Sequence, residues 1–155
     1  MANRNYTELE ENLLQITPKH FPVFLEEHET ELYRSTRPFT DFMRQKFREK
    51  QIAQQDVFLA ADLSEQYGYR LISGQKHTTD RDTILRLCLA ACFTLEEVNE
   101  ALILYGMAPL YAMIPRDAAF ILAFHNKVYD IHDVDAILRE NNLPPFLTPD
   151  KEPVE

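Results

Sequence analysis

The chain is 155 residues long, 45% hydrophobic and 26% charged, which suits one compact domain with a sizeable core, or one core plus an appendage, in an ordinary globular protein. Its three glycines, Gly68, Gly74 and Gly106, are too few for a turn-rich sheet fold or a glycine-rich phosphate loop. No apolar run approaches the ~20 residues that cross a bilayer. The polar, acidic start from Met1 to Glu11 is unlike a signal peptide, so the expectation is a cytoplasmic protein with no membrane partner.

The net charge of −9 is divided unevenly. Residues 1–39 hold four basic and seven acidic side chains, residues 40–92 eight and seven, and residues 93–155 four and eleven. The middle of the chain is nearly neutral, so a contact with DNA there would not be driven by a large field.

Tyr6–Gln15 and Phe21–Tyr33 read as short amphipathic helices on either side of Thr17-Pro18-Lys19. The second carries Phe21, Phe24, Leu25, His28 and Leu32 at helical spacing. Together they form an N-terminal extension over residues 1–37. Thr40 is placed as the N-cap of a helix over Asp41–Lys50, with Phe42, Met43 and Phe47 inward and Arg44, Lys46, Arg48 and Lys50 outward. Next come a short helix over Gln54–Ala61, a turn at Asp62-Leu63, and a helix opened by Ser64 and stopped by Gly74. Asp82–Cys92 is strongly apolar. Thr94–Tyr105 begins with a capping box, Thr94-Leu95-Glu96-Glu97. Thr148–Glu155, with Pro149 and Pro153, reads as a flexible acidic tail.

The C-terminal third contains a repeat. Arg81-Asp82 opens one apolar helix and Arg116-Asp117 another. Thr94-Leu95-x-Glu97-Val98 then leads to Leu102, Gly106 and Pro109-Leu110. With one residue inserted, Asp130-Ile131-x-Asp133-Val134 leads to Leu138, Asn142 and Pro145-Phe146. Gly106 and Asn142 both suit a left-handed helix cap, and the following proline prevents continuation. Two copies are too few for a solenoid, so the hairpin over residues 106–147 is expected to pack on the preceding one. The fold class is all-α.

The order from Gln54 onward carries the functional reading. Val57 and Ala61 face inward on a first short helix, and Leu71 does so on a second. A polar loop, Gln75–Asp80, precedes the apolar run Thr83-Ile84-Leu85-Arg86-Leu87-Cys88-Leu89. From Thr40 to about Leu102 this order resembles the λ-repressor-like (Cro-repressor or XRE-type) helix-turn-helix family. More narrowly, Tyr67-Gly68-Tyr69, Ser73-Gly74, Arg81-Asp82, Gly106, Pro109-Leu110-Tyr111 and Arg116-Asp117-Ala118 look like XRE-type proteins of Clostridia-like Firmicutes, over Pro38 to Phe146.

The resemblance implies a helix-turn-helix domain over residues 38–105 and a transcriptional regulator; with no nucleophile elbow and the glutamates clustered at helix starts, no enzyme activity and no cofactor are expected. Such a unit offers the start of its second helix to the major groove. Ser64, Glu65, Gln66, Tyr67, Tyr69 and Arg70 would be the exposed reading residues, with Gln66 suited to adenine and Arg70 to guanine. Gln54 and Gln55 would sit against phosphate with their helix amides, as would Lys76 and His77 in the loop.

Three positions depart from the family pattern: Phe58 for a small alanine, Asp62 for the turn glycine, and Gly68 for a branched aliphatic. Phe58 and Gly68 are expected to face each other across the helix crossing, a volume-conserving exchange. Asp62 suits a left-handed turn.

Other chemistry finds little support. Cys88 and Cys92 read as small buried residues rather than metal ligands. His28-Glu29-Thr30-Glu31-Leu32 lacks the second histidine of a zinc-protease helix, and His125 and His132 read as isolated helix-end residues rather than a metal pair. Tyr67, Tyr69, Tyr105 and Tyr111 are the tyrosines expected on interaction surfaces. The partners implied are double-stranded DNA and a second copy of the chain. The alternative is a helical interaction module that keeps the frame without reading DNA and engages a protein partner through the acidic repeat.

Overall fold

A computed structural model of the chain describes residues 3–33 and 36–147, with the side chains of residues 3–5 excepted. The expected acidic tail at Thr148–Glu155 lies outside the described residues. Among those described, all regular structure is helical. The chain divides into two compact units at Pro38 and Phe39.

The first unit holds α1 (Asn3–Gln15), a single 3₁₀ turn at Pro18–His20, and α2 (Phe21–Glu27). The expected helix to Tyr33 ends early, at Glu27, because His28 leaves helical geometry (φ −112°, ψ 23°). Its ring turns back onto Phe24, 4.5 Å between centroids, while its Nδ1 meets Glu31 Oε1 at 2.7 Å.

The second unit holds α3 (Pro38–Glu49), α4 (Gln54–Ala60), α5 (Glu65–Ser73), α6 (Arg81–Ala90), α7 (Leu95–Leu104), α8 (Pro115–His125) and α9 (Ile131–Glu140). α3 begins at Pro38, ahead of the expected Thr40 cap, since proline suits a first helical turn. Thr40 is instead buried within the helix and donates its hydroxyl to the Ile72 carbonyl at 2.7 Å. Phe42, Met43 and Phe47 do enter the core.

Six helices of this unit stop by one device. One residue turns left-handed: Gln51 (φ 55°), Asp62 (57°), Cys92 (57°), Gly106 (85°), Lys127 (59°) and Asn142 (58°). The amide of the next, apolar residue then bonds back into the last helical turn. Ile52 reaches Phe47, Leu63 reaches Phe58, Phe93 reaches Cys88, Met107 reaches Leu102, Val128 reaches Ala123 and Leu143 reaches Leu138, at 2.8–3.1 Å. This satisfies orphan carbonyls and drops an apolar side chain onto the core at every corner. Gln51, Cys92 and Lys127 accept the left-handed strain, about 1–2 kcal/mol each, because the cap bonds and the apolar anchor offset it. The capping box also forms, with Thr94 N–H donating to Glu97 Oε1 at 2.9 Å and Glu97 N–H to Thr94 Oγ1 at 3.1 Å.

α6 is the hub. Ile84, Leu85, Leu87, Cys88 and Leu89 are fully buried. It packs on α4, α7 and α9, while α8 packs on α7 and α9. The four helices α6 to α9 thus form a closed ring of neighbours in which the repeat mates α6 and α8 are diagonal.

The Arg-Asp dipeptides of the repeat bind each other across that diagonal. Arg81 holds Asp117 through two bonds, at 2.7 and 3.1 Å, and Arg116 holds Asp82 through two, at 2.7 and 2.9 Å. Each guanidinium also caps the turn that ends its own hairpin. Arg81 donates to the carbonyls of Ala108 and Pro109, and Arg116 to those of Pro144 and Pro145. Asn99 and Asp135 are likewise equivalent, accepting the amides of Leu110 and Phe146 at 2.8 and 2.7 Å. The hairpins are therefore matched in detail and related by a local two-fold.

The Arg116 pair is partly buried, with side-chain exposures of 23% and 17%, whereas Arg139, paired within one helix to Asp135, is 50% exposed. Arg116→Ala is expected to lower the unfolding free energy by about 2–3 kcal/mol, and Arg139→Ala by less than about 1 kcal/mol. Urea unfolding of the two variants checks the contrast.

Burial acts to raise the pKa of Asp117, but the Arg81 guanidinium and the Tyr111 amide outweigh it and hold the carboxyl below its ordinary range. Glu97 and Asp135 are shifted in the same direction. A carboxylate whose folded pKa is depressed stabilises fully above its unfolded value, about 4, and that contribution is lost as pH falls through the folded value. The melting temperature should stay level down to about pH 5 and drop below about pH 4. Asp117→Asn should start lower at neutral pH and fall less on acidification.

Candidate nucleic-acid interface

α4 is short, and Ala53 before it provides no side-chain cap. It buries Val57 and Phe58, and Ala61 follows them into the core. The chain turns at Asp62, left-handed as expected, and Ser64 caps α5 by accepting the Tyr67 amide at 3.2 Å. Gly74 ends α5 at φ 87°.

The approach of α4 and α5 is set by one contact. A Cβ added to Gly68 would lie 2.4 Å from the Phe58 ring. Phe58 is itself buried, so the ring has nowhere to retreat. The expected Phe58–Gly68 complementarity is present, and Tyr69 also meets the Phe58 ring in an edge-to-face contact, 4.9 Å between centroids.

With Tyr67, Gly68, Leu71 and Ile72 turned inward, Ser64, Glu65, Gln66 and Tyr69 point to solvent and Arg70 is half-exposed. Tyr67 corrects the expected exposed set: it is only 5% exposed. The signal was available, because Tyr67 lies four before Leu71 and so shares its face. Gln55 is exposed, while Gln54 is half-buried and its Oε1 is buried with no hydrogen-bond partner.

In the following loop, Lys76 donates its amide to the Arg70 carbonyl at 3.1 Å. His77 is exposed, but its ring stacks on Tyr105 at 4.6 Å and 3°. Tyr105 is correspondingly half-buried, packed edge-on to Phe39, and its hydroxyl accepts the Thr78 amide at 2.8 Å. Tyr69 and Tyr111 are exposed as expected.

The outward lysines of α3 are not free. Lys46 and Lys50 converge on Glu97, at 3.3 and 2.9 Å. Burial acts to raise the Glu97 pKa, but the Thr94 amide and Lys50 outweigh it and hold the group ionised. Arg44 and Arg48 remain exposed on α3. These long-range Lys–Glu and Arg–Asp pairs were not visible in the sequence, where each charge reads as a solvated helix position.

Cys88 is fully buried, and burial pushes its thiol pKa far up. Cys92 corrects the expected pair of buried small residues. It is exposed, because the left-handed cap after α6 turns it outward. Among the described residues, no group of three His, Cys, Asp or Glu side chains converges as metal ligands do, and no helix is long and apolar enough to cross a membrane.

Gly68→Ala should cost about 1–3 kcal/mol by overpacking. In a Phe58→Leu background the same substitution should be neutral or stabilising by up to ~1 kcal/mol, since alanine is the better helix former. A double-mutant cycle in urea measures the coupling. Compared with protein-family models, with curated proteins and with solved structures, the chain matches none.

Proposed function

We propose that this chain is a DNA-binding transcriptional regulator of the λ-repressor-like type, reading duplex DNA with α5. The supporting observation is the division of α5 into two faces. Tyr67, Gly68, Leu71 and Ile72 lock it against the core, while Ser64, Glu65, Gln66 and Tyr69 stand outward over its first turns. Those are the turns that a recognition helix offers to base edges. Gln66 is the adenine-type contact and Arg70 the guanine-type contact.

The electrostatics make this a reader with few phosphate anchors. Lys46 and Lys50 are neutralised by Glu49 and Glu97 together, and Asp56, Asp62 and Glu65 are exposed nearby in the chain. Arg44, Arg48, Arg70 and Lys76 are the cations that remain for phosphate. About four such contacts give a log–log salt slope near −3 to −4, shallow for a duplex-binding protein.

Fluorescence anisotropy with duplexes from the DNA upstream of the chain's own coding region tests the reading. Binding at low salt with that slope is expected, and Gln66→Ala should weaken it by about 1–3 kcal/mol at its preferred site. No binding at micromolar protein would leave the alternative, a helical interaction module on the same frame.

A further inference from the structure

The smaller unit, which ends at Pro38, lies outside the segment that resembles a helix-turn-helix family. A unit of its size usually needs a disulfide, a metal or a partner to hold its shape. It contains no cysteine, and among the described residues no group of three side chains converges as metal ligands do. That leaves burial against another surface. Among the described side chains of residues 6–33, Phe24 alone is buried. Leu13 is 41% exposed, Phe21 45% and Leu14 78%, with Tyr6 and Val23 exposed beside them. Leu13, Ile16, Thr17, Pro18 and Phe21 line an open cavity of about 330 Å³ at the turn between α1 and α2, a volume at the lower end of ligand-sized clefts.

Charge selects the occupant. Residues 6–33 carry seven glutamates against one cation, Lys19. On α1, Glu10 is one turn from Tyr6 and from both Leu13 and Leu14, and on α2 Glu27 is one turn from Val23. Both carboxylates are exposed, so the apolar surface is flanked by negative charge. A second copy brings the same seven carboxylates and is repelled. The rest of the chain is no complement, since residues 40–155 hold twelve basic and eighteen acidic side chains. A segment that carries lysine or arginine beside a row of apolar residues satisfies both features at once.

We propose that residues 6–33 are a docking surface for a cationic amphipathic segment of a partner protein. Its apolar side chains fill the cavity between Leu13 and Phe21, and its lysines or arginines meet Glu10 and Glu27. None of the α5 residues takes part, so this docking holds whether or not the chain binds DNA.

Fluorescence anisotropy of the full chain with a labelled leucine–lysine peptide, patterned as an amphipathic helix, tests it. Micromolar binding is expected, at least tenfold tighter than for the same composition in scrambled order or for a leucine–glutamate peptide of the same pattern. Phe21→Ser should weaken binding at least tenfold. Glu10→Gln combined with Glu27→Gln should weaken it about threefold and flatten its salt dependence. All three positions are exposed, and should Phe21→Ser lose helical circular dichroism, the glutamine pair decides alone. Hydrogen exchange gives a second readout, with protection of residues 6–33 rising as the peptide binds. No binding, equal binding of the scrambled or anionic peptide, or full affinity in the folded variants overturns the proposal. So does full protection of residues 6–33 without peptide, which would mean that this chain or a second copy already covers them.

Discussion

At one end of α6 and α8, two arginines and two aspartates exchange partners, and much of the larger unit hangs on that exchange. Arg81 binds Asp117 and Arg116 binds Asp82, each through both guanidinium arms. Each arginine spends its remaining donors on the proline-bearing turn that closes its own hairpin. An apolar cluster of equal volume would hold the helices as tightly, since desolvation offsets much of the Coulomb gain of a buried pair. The bidentate geometry adds register: only these two helix ends fit, in one relative rotation. That fixes α6, and α6 carries α4.

From α6 the order passes outward by contact. α4 lies on α6, and α5 lies on α4 at a separation set by a phenylalanine ring occupying the space of a missing side chain at Gly68. The outward residues of α5 inherit their positions from this stack. Thr40 adds a bond from α3 to the last turn of α5, through Ile72. The exposed face of α5 is therefore held by packing on α4, which is seated on α6, and by the Thr40 bond from α3, which suits a surface that must keep its shape.

Local chemistry was legible in the sequence. The Thr94–Glu97 box, the caps at Ser64, Gly74, Gly106 and Asn142, and the left-handed Asp62 all depend on neighbours within six residues, and side-chain type determines them. The Phe58–Gly68 match was also readable, because a large residue and an absent one departed from the same pattern together. Three kinds of feature were not. Thr40 suits both a cap and a buried donor, and only the distant Ile72 carbonyl decides between them. Tyr67 is amphipathic, so its polar tip suggested solvent while its position beside Gly68 and Leu71 placed the ring in the core. The Arg81–Asp117 and Arg116–Asp82 pairs announced themselves as a repeat but not as partners, since reciprocity across a diagonal belongs to tertiary structure. The lysines drawn to Glu97 belong with these.

We propose that the outward face of α5, held on this frame, is the surface that meets duplex DNA. The most direct measurement is a map of backbone amide shifts in labelled protein as a duplex bearing its preferred site is added at low salt. Perturbations are expected to concentrate on Ser64–Arg70 and around Lys76, with α8 and α9 unmoved. Shifts centred on α7 or α9 with α5 silent, or no shift at saturating duplex, would contradict it.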